Sequence, residues 1–382
     1  MANVSSSNGL EKRPKLRFLG FDEPWAVFRA EELFKNITDK NHPDETVLTI
    51  IQGKGTLPRE QAGRNIHYDD ASLSNYKKVE QGDYIIHLRS FEGGLEMANE
   101  DGIVSPAYTI LRCKKPHSSL FYEAYFHTDE FINHVLSKSV EGIRDGRQIS
   151  YEAFKWLGLP YCDISEQEKI SHLFYTLNRR IDKQQQMVEA LKKYKRGAVT
   201  RILSDKSNEF ASEATWTERT LAELCCEFRS GRNISASLIH ETGDYPVYGG
   251  NGIRGYCYQY SHDGEYVVVG RQGALCGNVR LIQGRNYLSE HAIAVRANEE
   301  NETNFLLYLL DYMKLGQYSD QGAQPGLAVN KLLRLKCTVP DKKTQSKIAS
   351  FLMRYDSQIS TQERMLTLLT NQRRAFLQQL FI

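Results

Sequence analysis

A heptad pattern that occurs twice, at one fixed offset, is the feature of this sequence that most restricts its fold. In both copies apolar residues alternate four and three positions apart, which is the a/d spacing of a coiled-coil seam. The first copy comprises Ile170, Phe174, Leu177, Ile181, Val188, Leu191, Ala198 and Ile202. The second keeps one constant offset from the first and comprises Ile348, Leu352, Tyr355, Ile359, Leu366, Leu369, Phe376 and Leu380. Each copy predicts a helix about 57 Å long.

Polar residues interrupt the seam at matching positions of the two copies. They are Gln184 and Lys195 in the first copy, and Gln362 and Arg373 in the second, again at the same offset. Two unrelated amphipathic helices would share the spacing but not the interruptions, so we interpret the helices as a duplicated unit. A narrow apolar stripe needs a partner helix, so we expect antiparallel pairing, with Gln184 near Gln362 as a polar pair that sets the register.

The segments that precede each helix also repeat. GDYIIHLR (82–89) matches GEYVVVGR (264–271), and both read as strands because β-branched and aromatic residues are bounded by glycine. We therefore predict an α+β fold, in which two recognition domains of small mixed sheets and helices are held apart by an antiparallel two-helix coiled coil with a pseudo-two-fold internal repeat. The predicted parts are a disordered tail (1–17), a first domain (18–160), a first spacer helix (161–203), a linker (204–215), a second domain (216–338) and a second spacer helix (339–382).

Composition limits the class of protein. The 382 residues suffice for two domains and long helices. The net charge is only +2, so a nucleic-acid binder would have to gather its basic residues on one surface. The 7 cysteines lack CxxC spacing, which argues against disulfides and structural zinc. Without an apolar leader or a run long enough to span a bilayer, we expect a cytoplasmic protein that does not contact membranes.

Known catalytic motifs are missing from the sequence. It contains no P-loop, no GxSxG elbow and no HExxH pair. Residues 250–255 satisfy GxGxxG, but an aromatic, turn-like segment follows where a dinucleotide site needs a helix. We interpret them as a glycine-rich loop that allows close backbone approach. We expect a binding module without catalytic residues or metal ligands; the alternative is an enzyme with an unfamiliar site.

Candidate contact residues lie in glycine-rich loops at the strand ends. Arg and Lys suit phosphates and guanine edges, and Asn and Gln suit adenine edges, so this mixture favours DNA binding. The candidates are Lys54, Arg59, Arg64, Arg89, Ser90, Arg229, Arg232, Asn251, Arg254, Arg271 and Gln272. Arg89 and Arg271 fall at matching positions of the two halves. Either DNA contact or a structural role at the strand end would explain that match.

Several longer segments resemble a known family. VYGGNGIRGY, GEYVVVGRQGALCGNV and LSEHAIAV look like one type of target-recognition domain, and GDYIIHLRSFEGGLE with GIVSPAYTIL looks like another. The helix starts DISEQEKI (163–170) and PDKKTQSKI (340–348) are similar to the spacer segments of the same family. Over about residues 18–382 the chain thus resembles the specificity subunit of type I restriction–modification systems.

The resemblance implies a non-catalytic subunit. Each domain would read one half of a bipartite site in double-stranded DNA, and the helices would set the spacer. The helices would also dock two adenine-methyltransferase subunits, and restriction (motor–nuclease) subunits would join the assembly. The chain would hold no cofactor itself, since S-adenosylmethionine would be bound by the methyltransferase. The alternative is a coiled-coil scaffold that joins two protein partners without contacting DNA.

Overall fold

The computed structural model of the chain describes residues 11–63, 70–142, 147–204, 216–273, 275–319 and 326–381. It divides into two compact units. The first consists of Met1–Gln185 together with Met365–Ile382, and the second of Gln186–Arg364. Helices and small sheets are mixed in both units, which confirms the predicted α+β class.

The first unit contains short strands and helices that precede one long helix. Its strands are β1 (Glu11–Lys12), β2 (Trp25–Arg29), β3 (Phe34–Ile37), β4 (Leu48–Ile51), β5 (Gly55–Pro58), β6 (Lys77–Val79), β7 (Tyr84–Ile86), β8 (Glu96–Met97), β9 (Gly102–Val104), β10 (Thr109–Cys113), β11 (Val140–Glu141), β12 (Gln148–Ile149) and β13 (Gly158–Tyr161). Its helices are α1 (Ala30–Leu33), α2 (Ser90–Gly93), α3 (Ser119–Phe126), α4 (Tyr151–Phe154) and the start of α5 (Ile164–Ser204).

The second unit also contains short strands and helices that precede a long helix. Its strands are β14 (Thr217–Thr220), β15 (Cys225–Ser230), β16 (Tyr245–Gly249), β17 (Gly252–Cys257), β18 (His262–Asp263), β19 (Tyr266–Gly270), β20 (Val279–Ile282), β21 (Arg285–Leu288), β22 (Ala292–Ala297) and β23 (Lys336–Val339). Its helices are α6 (Leu221–Leu224), α7 (Thr303–Tyr312), α8 (Val329–Leu333) and most of α9 (Lys342–Phe381), whose last turns belong to the first unit.

Each unit is organised around a four-stranded sheet of the same connectivity. The order is β3-β10-β7-β8 in the first unit and β15-β22-β19-β20 in the second, with antiparallel neighbours throughout. An outer strand pair, β2 with β13 and β14 with β23, also recurs. The strands read from GDYIIHLR and GEYVVVGR, β7 and β19, occupy the same place in the two sheets. The duplication therefore extends from the helices to the sheet topology.

A buried glutamine joins each long helix to the domain before it. Gln167 and Gln345 are related by the offset of the two heptad patterns, and both are buried. Each donates through Nε2 to a carbonyl five positions earlier in the chain, Cys162 O at 2.9 Å and Pro340 O at 2.8 Å. Each accepts through Oε1 from the residue that precedes α3 or α7, Ser118 N at 3.1 Å and Glu302 N at 3.0 Å. Both units thus hold the helix start by the same polar contact.

The polar seam residues Lys195 and Arg373 are held by matching contacts. In the second unit Lys195 Nζ lies 2.6 Å from Asp356 Oδ1. In the first unit Arg373 Nε donates to Asn178 Oδ1 at 2.7 Å. Because the same offset relates Asn178 to Asp356, one contact occurs twice. At both positions the cationic seam side chain contacts a side-chain oxygen of the partner helix.

The long helices run antiparallel within each unit. In the first, the Phe174 ring lies 6.2 Å from that of Phe381, while Asn178 meets the earlier residue Arg373. In the second, Lys192 pairs with Glu363 at 3.0 Å, while the later Lys195 meets Asp356. The expected contact of Gln184 with Gln362 would join the two units and stays a prediction.

Candidate nucleic-acid interface

The β4–β5 hairpin of the first unit ends in a tip whose backbone is held from outside the hairpin. Gly53 N and Gly55 N donate to the Glu96 carboxylate at 2.6 and 2.9 Å. Asn99 Nδ2 donates to Lys54 O and Thr56 O, both at 2.8 Å. Gly55 has a φ of +77°, and a Cβ there would lie 2.5 Å from Met97 O, so only glycine fits. The tip is therefore fixed, with the Lys54 side chain exposed.

Glu96 is wholly buried and depends on its partners to stay ionised. Burial alone would raise the pKa of its carboxyl, but the hydrogen bond with His127 Nε2 (3.2 Å) and the two glycine N–H groups outweigh burial and lower it. Burial would likewise lower the pKa of His127, but the contact with Glu96 and the Glu123 carbonyl outweigh it and raise that pKa. The two groups therefore form an ion pair beneath the tip at any pH that lies between their folded-state pKa values.

Glu96→Gln should destabilise the first unit in a pH-dependent way. The raised pKa of His127 makes its contribution complete below its ordinary value of 6.5 and lost as pH rises through the folded-state value. The lowered pKa of Glu96 makes its contribution complete above 4.5 and lost as pH falls through the folded-state value. We expect the wild-type advantage in free energy of unfolding to be largest between these two values. Urea titrations from pH 4 to about 9 measure it, and an advantage that keeps growing above pH 7 would contradict the assignment.

The tip also contacts the turn that follows β7. The Gln52 side chain fills the space beside Gly93, at the end of α2. Arg89 immediately precedes α2 and is exposed, so the structure gathers Lys54 and Arg89 on adjoining turns. Ser90 is fully buried, and its Oγ accepts from His87 N at 2.8 Å. That geometry gives Ser90 a role in shaping the turn.

The second unit builds the same arrangement with different residues. The β16–β17 hairpin has its tip at 249–252, and a Cβ on Gly250 would lie 2.6 Å from Gln272 O, in the segment after β19. Position 250 therefore has to be glycine, because the Gln272 backbone lies too close for any side chain. In both units the hairpin tip thus rests against the connection that leaves the third strand of the sheet.

Backbone hydrogen bonds bring the other predicted loops of the second unit to the same place. Arg232 N donates to Leu288 O (2.8 Å), Ser289 N to Tyr248 O (2.9 Å) and Arg271 N to His291 O (2.9 Å). The segment 288–291 is common to all three bonds. The second unit's predicted residues at 232, 251, 254, 271 and 272 therefore belong to one connected group of loops.

The predicted residues differ in how free their side chains are. Lys54, Arg89, Arg232, Asn251 and Arg254 are exposed, and no ion pair involves any of them within the ranges that the structure describes. Others are engaged: Arg229 pairs with Glu227 at 2.7 Å, Arg59 lies 5.9 Å from the Tyr76 ring, and Gln272 Oε1 lies 2.6 Å from His291 Nδ1. Arg271 is half-buried and donates to Glu290 O (3.3 Å) and Leu327 O (3.5 Å). Arg64 lies outside the described residues.

Arg280 is a further candidate, which the glycine-rich segments of the sequence do not reveal. It lies in β20 and is exposed, and its Nη1 would be 2.8 Å from a Cβ on Gly252, which places the guanidinium beside the β16–β17 tip. A cavity of about 170 Å³ between this tip and β20 is lined by Asn251, Asn278 and Arg280 among others. Arg280 lies outside the glycine-rich segments that supplied the predicted residues, and the pairing of β20 with β19 brings it beside the tip.

Part of the chain is similar in sequence to known proteins. Residues 213–371 match the family model of the type I restriction modification DNA specificity domain. Over 160 residues the chain is 42% identical to the type I restriction enzyme EcoprrI specificity subunit of Escherichia coli, covering 41% of this chain and 39% of that protein. Over 144 residues it is 26% identical to a putative type I restriction enzyme specificity subunit of Haemophilus influenzae, covering 37% of each. The chain thus spans about two fifths of the curated relatives it matches.

The fold is similar to that of a solved structure over almost the whole chain. It is similar to the crystal structure of a type I restriction-modification system S subunit from M. genitalium, with a TM-score of 0.67, covering 97% of this chain and 99% of that one. At 16% identity, the similarity shows the fold. The family match is thus limited to residues 213–371, and the similarity over the rest of the chain is one of fold. Among the described residues, no helix is both long and apolar enough to cross a membrane.

Proposed function

We propose that this chain is the DNA-specificity subunit of a type I restriction–modification complex, and that each unit reads one half of a bipartite site. The observation that carries the proposal is the repeated hairpin tip. In both units the tip lies against the connection that leaves the third strand of the sheet, and exposed groups suited to DNA lie there. They are Lys54 on the tip with Arg89 on the connection in the first unit, and Asn251 on the tip with Arg254 in β17 in the second. Phosphate contacts would position each unit and base-edge contacts would specify the sequence.

The partners follow from the same assignment. The chain would be non-catalytic and act in the cytoplasm, while two methyltransferase subunits bind S-adenosylmethionine and carry out adenine methylation. Motor–nuclease subunits would complete a restricting assembly. The specificity-subunit names of the relatives support this organisation. The exposed apolar residues of the long helices, among them Tyr175, Met187, Tyr194, Met365 and Leu368, would suit partner helices.

Sequencing of methylated bases in the host genome tests the proposal most directly. A single asymmetric motif of two short sequences with an unread spacer is expected, and it should vanish when this gene is deleted. A mobility-shift assay with the chain and its methyltransferase then measures affinity for that motif. A complex with no preference for the motif at low salt would refute the proposal and favour the protein scaffold.

Arg254→Ala and Arg271→Ala should have different effects. Arg254 is exposed, so its loss should weaken binding to the second half-site by about 1–3 kcal/mol if it reads a guanine, with the melting temperature unchanged. Arg271 holds two carbonyls, so its loss should also lower the stability of the second unit by about 1–3 kcal/mol. Binding to DNA with either half-site scrambled, alongside thermal unfolding, separates the two. If the Arg254→Ala variant binds the second half-site as tightly as the wild type does, Arg254 is not part of the DNA interface.

A further inference from the structure

The strongest unassigned feature is the buried Glu96 carboxylate beneath the β4–β5 tip. Its two oxygens accept the N–H groups on either side of Lys54, from Gly53 and Gly55. Hairpin loops of this length usually close through their own backbone bonds. This turn has one such bond, from Lys54 N to Ile51 O at 2.9 Å, and a carboxylate from β8 adds two more to the tip. Burying that carboxylate is costly unless its charge is paired.

We propose that Glu96 is a positioning residue that fixes the hairpin tip so that Lys54 contacts DNA in the first half-site. The inference rests on the proposed function. Glu96 and Asn99 together engage Gly53 N, Gly55 N, Lys54 O and Thr56 O, so the tip's conformation is set before any ligand binds. A contact made by a preorganised segment loses less conformational entropy on binding than one made by a mobile loop.

Positioning and simple electrostatics predict opposite changes in DNA affinity when the Glu96 charge is removed. A carboxylate near a polyanion opposes binding, so deleting its charge should strengthen DNA binding if charge were its only influence. If Glu96 positions Lys54, Glu96→Gln should weaken binding instead. Glu92 offers a matched control, because it is an exposed carboxylate in the same segment. Glu92→Gln removes the same charge and should leave binding unchanged or slightly tighter.

A double-mutant cycle on the chain bound to its methyltransferase tests the proposal. Glu96→Gln and Lys54→Ala should each weaken binding to the first half-site by about tenfold, the order expected for one charge-assisted hydrogen bond. The double variant should lose no more than Lys54→Ala alone, since Glu96 acts through Lys54. Binding to DNA that retains only the second half-site should be unaffected.

Amide hydrogen exchange provides a readout without DNA. Exchange at Gly53 and Gly55 should accelerate in Glu96→Gln and stay at the wild-type rate in Glu92→Gln. Asn99→Ala is a second variant for the case in which Glu96→Gln fails to fold, and it should reproduce the binding loss because Asn99 holds the tip carbonyls.

The outcomes are distinguishable. A wild-type complex without preference for the motif would overturn the proposed function, and this inference with it. Two results would overturn this inference alone, provided that the wild-type complex binds its motif specifically. One is that the losses of affinity in the double-mutant cycle are additive. The other is that amide exchange at Gly53 and Gly55 is unaltered in Glu96→Gln.

Discussion

Replacing Phe381 by alanine should destabilise the first unit by about 3–5 kcal/mol, the range for removing a fully buried phenylalanine. The Phe381 ring is inaccessible to solvent, and its centroid lies within 6.2 Å of four other aromatic rings. These belong to Trp25, Phe121, Tyr125 and Phe174. The last turn of α9 thus completes the aromatic core of the domain at the other end of the sequence.

Amide hydrogen exchange, measured separately in each unit, tests this effect, because a chain of two units need not unfold in one step. Protection in β10 should fall while protection in β22 is retained. Leu368→Ala is the matched control, since Leu368 lies on the same helix but is 63% exposed, and its loss should cost at most about 0.5 kcal/mol. Equal loss of protection in both units would contradict the assignment of Phe381 to the first core.

Lengthening both long helices should change the preferred spacer and leave the half-sites as they are. We propose that α5 and α9, each continuous through residues of both units, set the separation of the two reading surfaces. Three heptads inserted after Gln185, and three after Arg364, would add about 32 Å to each helix. That is close to one duplex turn of about 34 Å, so the preferred spacer should grow by roughly nine to ten base pairs.

One heptad inserted at the same two places is the control. It would add about 10 Å, or about three base pairs, which turns the second half-site to another face of the duplex. The one-heptad variant should then bind the original motif only as tightly as it binds DNA that carries a single half-site. Selection from a library of spacer lengths measures both variants. A change in the letters of either half-site would refute the role of the helices as a spacer.

The repeat explains which parts of the structure could be predicted. Periodicity identified both long helices, and the shared offset identified Lys195 and Arg373 as special seam positions. The same offset also relates Asn178 to Asp356 and Gln167 to Gln345. The apolar periodicity does not distinguish those four residues, although they supply the polar contacts that hold the helices in place.

The candidate interface was less predictable, because it depends on contacts between loops. Arg89 and Arg271 occupy matching positions, yet Arg89 is exposed while Arg271 donates to two carbonyls. The sequence cannot separate them, since the acceptors come from distant segments around Glu290 and Leu327. Glu96 carries no signal at all, because a glutamate beside glycines is ordinarily solvated.

The chain order of the first unit has a consequence for synthesis. Residues 186–364 form the second unit without interruption, so it can fold as soon as it leaves the ribosome. The first unit is begun earlier but finished later, because it lacks Leu377, Leu380 and Phe381 until the whole second unit has been synthesised. Domains usually fold in the order in which they are made. Here the domain made first is completed last, and four of its aromatic side chains lack a packing partner until Phe381 has been synthesised.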